Sequence, residues 1–390
     1  MWLLALLIAT SMGVLLAANP AHAATFVVNR TADTPDANLA NAACDANASQ
    51  AGNQCTLRAA IQESNDTNGV DQIRFNIVSA ASVKTISPAS ALPTITEALT
   101  INGYSQTGAS ANTLAEGNDA VLKIQLNGTN AGSANGLVIQ ASDSTVKGLV
   151  INRFEGNGVL ISGSGATGTK VQGNFLGTNA AGSADRGNDD GVAISSASDS
   201  TIGSAIGSTA GGNRIANNDQ DGVLVFGGAA VGNRVLSNSI FSNGETGIDL
   251  GGGTEDSFEV TANDTDDPDA PTSNNHRQNF PVITSATRSA STNFTTITGT
   301  LNSNPNQTYT VQCFVAAPDP SGHGEGQIPV AQTTVQTDAG GDDSFTCVSP
   351  VPQAGQLVSA TATNTSGTAS GTSIGDTSEF SQNVGVTLVP

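Results

Sequence analysis

Acidic side chains are the first residues in this chain whose types and spacing could support chemistry. Asp189 and Asp190 are adjacent, and comparable places in a repeated sequence pattern hold Asp219, Asp221 and Asp249. Two carboxylates on one face, at the separation found in glycosidases, would act as an acid and a base or nucleophile. The stronger interpretation is turn chemistry, since aspartate before glycine is a common turn residue.

Two arginines are the basic candidates for catalysis. Arg214 and Arg234 each follow a Gly-Asn pair, so they would align if those pairs lay on successive repeats. The alternative is that each arginine pairs with neighbouring acids on an exposed strand. We expect no catalytic site, and the fallback catalytic candidates are Asp189, Asp190, Arg214 and Arg234.

Residues 263–269 form the densest acidic run of the chain. Aspartate and asparagine oxygens on a turning backbone suit calcium, a hard cation that takes six to eight oxygen ligands. The run is not an EF-hand loop, because the glycine at position six and the glutamate at position twelve are absent. The candidate calcium ligands are Asp264, Asp266, Asp267 and Asp269. The alternative is a solvated acidic linker, and we expect no other cofactor.

Four cysteines fall into two local pairs, one near each end of the chain. We expect disulfides between Cys44 and Cys55 and between Cys313 and Cys347, as in proteins of oxidising compartments. The spacing matches no zinc ligand set.

Residues 2–18 are apolar and are followed by Ala21-His22-Ala23, which predicts a signal peptide over residues 1–23. A membrane anchor is the alternative. No later segment has the length and apolarity of a membrane span.

Composition narrows the class of protein. The 390 residues include 33 acidic and 13 basic side chains, a net charge of −20, with 44 glycines and 4% aromatic residues. Because the basic residues are scattered singly, we expect no binding to nucleic acid or to anionic membranes. The bias towards small and polar residues fits either disorder or a repetitive all-β architecture. We expect a monomer that is secreted or held at the cell surface.

A repeated phrase favours the all-β architecture. Glycine followed by aliphatic residues recurs from Gly136, Gly158, Gly191, Gly222 and Gly247, at intervals of 22, 33, 31 and 25 residues. Such short segments cannot bury an apolar face singly, but they can when stacked in parallel. Residues 76–260 are therefore predicted to form a right-handed parallel β-helix in which turn asparagines stack as amide ladders. A β-sandwich and disorder are the alternatives.

The flanking regions have different patterns. In residues 24–75, Leu57, Ala60 and Ile61 share one face of a short helix with Thr56 as its N-cap, which predicts a lid on the first repeat. An acidic linker over 261–275 follows the repeats. Alternating strands over 276–390 predict an immunoglobulin-like β-sandwich, whose strands the second disulfide would join.

The run from Cys55 to Ile61, behind a first strand and Cys44, resembles the CSLREA domain, with Thr56 in place of serine and Ala59 in place of glutamate. The later sequence, including residues 173–178 and 279–282, is similar to the right-handed β-helix repeats that accompany this domain. The resemblance implies an exported bacterial protein, surface-associated or secreted. It carries no activity that could be transferred.

We therefore expect a non-catalytic exported protein that presents a lateral surface to a polysaccharide, the cell envelope or a host surface. The competing hypothesis is a pectate-lyase-like or polygalacturonase-like enzyme, which would share the β-helix fold. Such hydrolases need a histidine near their aspartates, but the three histidines all lie outside the repeats: His22, His276 and His323. Aromatic residues for sugar stacking are also scarce, being limited to Trp2, Tyr104, Tyr309 and 12 phenylalanines.

Overall fold

The structure, a computed structural model, describes residues 23–204, 208, 210–269, 272–366 and 374–390. The predicted signal peptide lies outside these residues except for Ala23, and so does His22. Strands dominate the described part of the chain. The strands of its first part are, in order, β1 (Thr25–Val28), β2 (Asp71–Phe75), β3 (Lys84–Ile86), β4 (Leu99–Asn102), β5 (Ile124–Asn127), β6 (Leu137–Ile139), β7 (Thr145–Lys147), β8 (Leu149–Asn152), β9 (Val159–Ser162), β10 (Lys170–Gln172), β11 (Phe175–Leu176), β12 (Val192–Ser195), β13 (Thr201–Gly203), β14 (Arg214–Ala216), β15 (Val223–Phe226), β16 (Arg234–Leu236), β17 (Ser239–Phe241) and β18 (Ile248–Asp249).

These strands form three parallel sheets. The seven-stranded sheet has the order β1-β2-β4-β7-β10-β13-β16, the six-stranded sheet β17-β14-β11-β8-β5-β3, and the five-stranded sheet β18-β15-β12-β9-β6. From β4 to β18 the chain visits the seven-, six- and five-stranded sheets in that order five times. Each visit to a sheet adds one strand beside the previous one, so equivalent side chains stack at about 4.8 Å.

Aliphatic side chains make one continuous core between the sheets. In the seven-stranded sheet, register places one inward row on seven strands: Phe26, Ile73, Ile101, Val146, Val171, Ile202 and Val235. All of these side chains are buried. Because side chains alternate across a strand, the residues on either side of this row face outwards.

The repeated Gly-led phrases pair in parallel, as the sequence predicts. All five contribute to the five-stranded sheet, in one register: Leu137, Val159, Val192, Val223 and Ile248. The longer intervals are loops between sheets, so insertions do not disturb the register.

Buried asparagines form the predicted amide ladders. The backbone N–H of Asn174 donates to Oδ1 of Asn213 (2.9 Å), and that of Asn213 donates to Oδ1 of Asn238 (3.0 Å). The Nδ2 groups of Asn213 and Asn238 also donate to the carbonyls of Val171 (2.7 Å) and Ile202 (2.8 Å). Each amide thus satisfies backbone groups where the chain leaves one sheet for the next.

The N-terminal part contains one α-helix, α1 (Leu57–Asp66), and the predicted Cys44–Cys55 disulfide. Thr56 is the N-cap, since its side chain accepts from the N–H of Ala59. The helix buries Leu57 and Ile61 in the core beside β1 and β2. Four short 3-10 turns occur elsewhere in the described chain: Leu39–Asn41, Gly103–Ser105, Gly128–Asn130 and Asn274–Arg277.

The second part is mostly antiparallel. Its strands are β19 (Val282–Ser289), β20 (Thr295–Asn302), β21 (Thr308–Ala316), β22 (Gly326–Gln336), β23 (Asp342–Ser349), β24 (Leu357–Asn364), β25 (Val384–Gly385) and β26 (Thr387–Val389). They form two four-stranded sheets, β23-β20-β19-β26 and β22-β21-β24-β25. The predicted Cys313–Cys347 disulfide joins β21 to β23 and hence the two sheets.

Two disulfides are typical of an oxidising environment. Among the described residues, no helix has the length and apolarity needed to cross a membrane.

Two buried glutamates of the second part accept hydrogen bonds from residues at the end of the first part. Glu325 Oε1 accepts from the backbone N–H (3.0 Å) and Nδ2 (2.6 Å) of Asn243, which ends an amide ladder that runs through Asn218. The two carboxylate oxygens of Glu379 accept from Leu250 N (3.2 Å) and Thr261 N (3.0 Å). An open sheet edge would otherwise expose unpaired backbone groups. We call the contact between the first and second parts the joint, and Glu325 and Glu379 the joint glutamates.

The joint glutamates should make the protein less stable as pH rises. Burial raises the pKa of Glu325 to about 7 and that of Glu379 to about 8, above the value of about 4.3 in an unfolded chain. The folded state therefore binds more protons than the unfolded state between these values, and stability falls through that interval. We expect the melting temperature in EDTA to drop by about 10 °C from pH 5 to pH 9.

Circular dichroism melts over this pH range test the expectation. Glu379→Gln should flatten the slope, because the amide cannot ionise, whereas the exposed Glu116→Gln control should keep it. Two results would contradict this account: a melting temperature that rises with pH, or a Glu379→Gln variant whose melting temperature depends on pH as in the native protein. Either would show that ionisation of these carboxylates does not cause the loss of stability.

Candidate functional site

The outward face of the seven-stranded sheet gathers basic and hydroxyl side chains. Register places two outward rows on it. The first row is Thr25, Gln72, Thr100, Thr145, Lys170, Thr201 and Arg234. The second row is Val27, Arg74, Asn102, Lys147 and Gln172. We call these two rows the basic face.

The charge of the basic face differs from that of the chain as a whole. Its twelve positions include four cations and no acid, although the chain has 33 acidic and 13 basic residues. Within the described residues, the side chains of Arg74, Lys147 and Lys170 have no ion pair or hydrogen bond. Arg234 donates to the carbonyl of Ile374 (2.9 Å). Register thus brings cations that are separated in sequence by strands of the other two sheets onto adjacent or next-nearest strands of one face.

A tyrosine borders this face. The ring of Tyr104 packs against Gly148, where a Cβ would approach the ring Cδ2 to 2.7 Å. The hydroxyl of Tyr104 donates to the carbonyl of Gly173 (2.6 Å). Gly148 has φ +73°, a conformation that favours glycine. Tyr104, Lys147 and Gln172 line one cleft of about 320 Å³. An aromatic ring beside a cation and an amide is a combination that can bind a charged sugar.

The other two sheets are more covered on the outside. Val150 and Phe175 on the six-stranded sheet are buried under Leu122 and the nearby Tyr104 and Ala180. On the five-stranded sheet, Gly251 lies against Leu224 and Phe226. All twelve positions of the basic face, in contrast, are exposed or half-buried.

Acidic residues gather at the start of the five-stranded sheet. Asp190 and Asp221 are both buried and occupy equivalent positions on successive strands, and Asp190 Oδ1 accepts from the N–H of Asp221 (3.1 Å). Asp221 Oδ1 accepts from the N–H and the hydroxyl of Thr246 (both 2.9 Å). One carboxylate oxygen of Asp221 lies within 4.8 Å of oxygens of Glu245 and Glu259. Glu245 and Glu259 line a pocket of about 120 Å³. We call these two acids, together with the buried Asp190 and Asp221, the acidic cleft.

The acidic cleft contains carboxyl groups with different proton affinities. Burial, with a smaller contribution from Asp189, raises the pKa of Asp190 to about 6. Burial and the charge of Asp190 raise the pKa of Asp221 to about 8. Burial and the charge of Glu259 also raise the pKa of Glu245. Near neutral pH the cleft therefore holds both protonated and ionised carboxyls, the combination needed for general acid and base chemistry.

The arginine candidates do not join these acids, and they do not align with each other. Arg214 lies on β14 of the six-stranded sheet and Arg234 on β16 of the seven-stranded sheet. Their Gly-Asn pairs look alike in sequence but precede strands of different sheets, so the expected alignment is wrong. Arg214 is also held between the rings of Phe175 (5.7 Å) and Phe241 (5.4 Å) and donates to Gly182 O (2.6 Å). Such packing suits a structural cation rather than a base.

The remaining candidates are dispersed. Asp189 borders Asp190, and Asp219 is exposed. Asp249 is buried, and burial raises its pKa to about 9. His276 is buried with Nδ1 2.7 Å from Asp376 Oδ2 at the joint, and His323 lies in a turn of the second part beside Phe280.

Three of the four predicted calcium ligands come together. Carboxylate oxygens of Asp264, Asp267 and Asp269 all lie within 4.8 Å of one another. Asp266 is not part of this group, and its Oδ1 lies beside Gly341 instead.

Sequence analysis missed Glu245 and Glu259 in the acidic cleft and Glu325, Glu379 and Asp376 at the joint. None has a local motif. Glu259 and the three joint acids lie outside the repeated strands, so only tertiary structure brings them to their partners. Periodicity of outward residues in aligned repeats could have revealed the basic face. No protein-family model matches the chain, and no curated protein matches it significantly.

Proposed function

We propose that this is an exported, non-catalytic protein that binds an acidic polysaccharide of an envelope or host surface along the basic face. In this proposal residues 76–260 are a right-handed parallel β-helix, 24–75 a CSLREA-like cap, and 276–390 an immunoglobulin-like sandwich. The five passages through three parallel sheets support the β-helix, and the inter-sheet disulfide supports the sandwich. The resemblance to the CSLREA domain supports export to the cell surface or medium, where the protein acts as a monomer.

The segregation of charge carries the proposal. A chain with a net charge of −20 has a long face with Arg74, Lys147, Lys170 and Arg234 and no acid. Stacked threonine hydroxyls, such as those of Thr100 and Thr145, supply hydrogen-bond donors and acceptors between the cations. Carboxylates of the sugar would meet the cations, and sugar hydroxyls would meet the threonines and amides.

The spacing of the cations favours a polysaccharide over a nucleic acid. Arg74 and Lys147 are two strands apart, as are Lys170 and Arg234, which corresponds to about 10 Å. Duplex DNA has a charge about every 1.7 Å of its axis, which needs a denser basic patch. The acidic remainder of the chain would also repel such a dense polyanion. A glycan with a carboxylate on every second sugar requires fewer contacts.

A glycan array tests the proposal. The mature chain should bind polyuronates and other carboxylated glycans, with affinity that falls as salt increases, because the face is exposed to screening. Neutral glucans of the same length are the matched control. Equal binding to neutral and acidic glycans, or preferential binding to DNA, would contradict the proposal.

The acidic cleft favours a second candidate function, a polysaccharide lyase or glycoside hydrolase. Its support is the pair Asp190 and Asp221, two buried carboxyls with different proton affinities. A screen of acidic polysaccharides for reducing sugars and unsaturated products, with and without calcium, separates this function from simple binding. Activity that is present in the native protein and lost in Asp190→Asn would replace our proposal.

A further inference from the structure

We propose that Asp264, Asp267 and Asp269 form a calcium site that fastens the segment after β18 to the second part of the molecule. The inference concerns stability of the joint and is independent of the proposed polysaccharide binding. Both parts of the chain remain as described whether or not the basic face binds a glycan.

In the part of the chain that the structure describes, the protein binds one carboxylate oxygen of Asp267 and leaves the other without a partner. Oδ2 of Asp267 accepts from the hydroxyl of Ser303 (2.5 Å) and from the N–H of Asn279 (3.3 Å). Oδ1 has no hydrogen-bond partner within the described residues, although Asp267 is only 3% exposed. A buried carboxylate oxygen without a partner is costly unless it meets a cation or a proton.

The cluster has more negative charge than the protein itself neutralises. Arg277 contacts Asp269 Oδ1 at 3.1 Å, and it is the only cation in an ion pair with the three acids within the described residues. Carboxylate oxygens of Asp264 and Asp269 lie within 4.8 Å of one of Asp267, so the negative charges of the three groups repel one another. A divalent cation between the three oxygens would remove this repulsion.

The ligand chemistry points to calcium. All candidate donors are carboxylate oxygens, which hard cations prefer, and neither cysteine nor histidine belongs to the group. With one oxygen from Asp267, the three carboxylates can supply three to five of the six to eight oxygens that calcium takes, and carbonyls or water complete the set. Magnesium requires a stricter octahedral arrangement, which a loop of this kind does not impose.

Calcium would stiffen the contact between the two parts because the segment that carries the three acids already contacts the second part. The backbone N–H of Asp264 donates to Asn279 Oδ1 (3.1 Å), and that of Asp266 donates to Asn302 Oδ1 (2.8 Å). Fixing the three carboxylates on one ion therefore holds the connecting segment against Asn279 and Ser303.

Calorimetric titration of the EDTA-treated mature chain with calcium chloride tests the site. We expect one saturable site with a Kd of about 10⁻⁴ M, as in other extracellular calcium modules. Calcium at 5 mM should raise the melting temperature by about 5 °C. Asp264→Asn and Asp269→Asn should each weaken binding at least 10-fold.

Asp266→Asn is the matched control, since it removes the same charge from the same segment outside the cluster. It should bind calcium within 2-fold of the native protein. Melting in EDTA shows whether each variant is folded, and Asp267→Asn should fold without responding to calcium. Absence of a saturable site, equal loss in Asp266→Asn, or magnesium binding as tight as calcium binding would overturn the assignment.

Discussion

Replacing Asn213 with alanine should lower the free energy of unfolding by about 3–5 kcal/mol. Asn213 is 1% exposed and lies in the middle of the ladder between Asn174 and Asn238. Its Oδ1 accepts from the backbone N–H of Asn174 (2.9 Å), and its Nδ2 donates to Val171 O (2.7 Å) and Asn238 Oδ1 (2.9 Å).

The cost is large because alanine leaves these partners buried and unpaired. Each unsatisfied buried donor or acceptor costs about 1–3 kcal/mol, and water has no access to the interior between the sheets. Losing the amide also weakens two contacts at once, because Asn213 hydrogen-bonds both to Asn174 in the preceding passage of the chain and to Asn238 in the following one. Stacked repeats depend on such nearest-neighbour contacts.

Urea unfolding followed by circular dichroism measures the effect. Asn130→Ala is the matched control, because Asn130 is exposed in a 3-10 turn, and it should change the free energy by less than about 0.5 kcal/mol. Equal midpoints for the two variants would mean that the asparagine ladder does not hold adjacent strands together.

Local sequence signals were sufficient wherever the structure repeats. The Gly-led phrases place Leu137, Val159 and Val192 in one parallel register, as predicted. Both disulfides and the helix capped by Thr56 are also confirmed. In these cases the residues that specify the structure are either adjacent in sequence or repeated at a nearly constant interval, so periodicity contains the necessary information.

Sequence reasoning was wrong or incomplete where the same short phrase precedes strands of different sheets. Asn213-Arg214 and Asn233-Arg234 look equivalent, yet Arg214 lies on the six-stranded sheet and Arg234 on the seven-stranded sheet, because Gly-Asn pairs precede strands of both sheets. The role of Glu325 could not be predicted, because its partner Asn243 is 82 residues away and is reached only by docking of the second part.

The basic residues show how register changes the meaning of a sequence. Arg74, Lys147 and Lys170 are isolated in the chain, from which we expected no binding to nucleic acid or to anionic membranes. Stacking brings Lys147 and Lys170 onto adjacent strands with their side chains on the same face. The net charge of the chain therefore does not describe the local charge of each face.

Reversing two of these charges should abolish most binding to acidic polysaccharides. Lys147→Glu with Lys170→Glu replaces attraction by repulsion at the centre of the basic face, and we expect affinity to fall about 100-fold, or about 2.7 kcal/mol. Stability should change little, because neither lysine side chain has a hydrogen bond or ion pair within the described residues.

A matched double variant separates the basic face from net charge. Lys123→Glu with Arg153→Glu changes the charge by the same amount, but Lys123 precedes β5 and Arg153 follows β8 of the six-stranded sheet. The most direct measurement is titration of the native protein and both variants with a defined carboxylated oligosaccharide at low salt. The Lys147 and Lys170 variant should lose binding while the control retains it within about 3-fold, whereas equal affinity for all three proteins would contradict the assignment of the basic face as the binding surface.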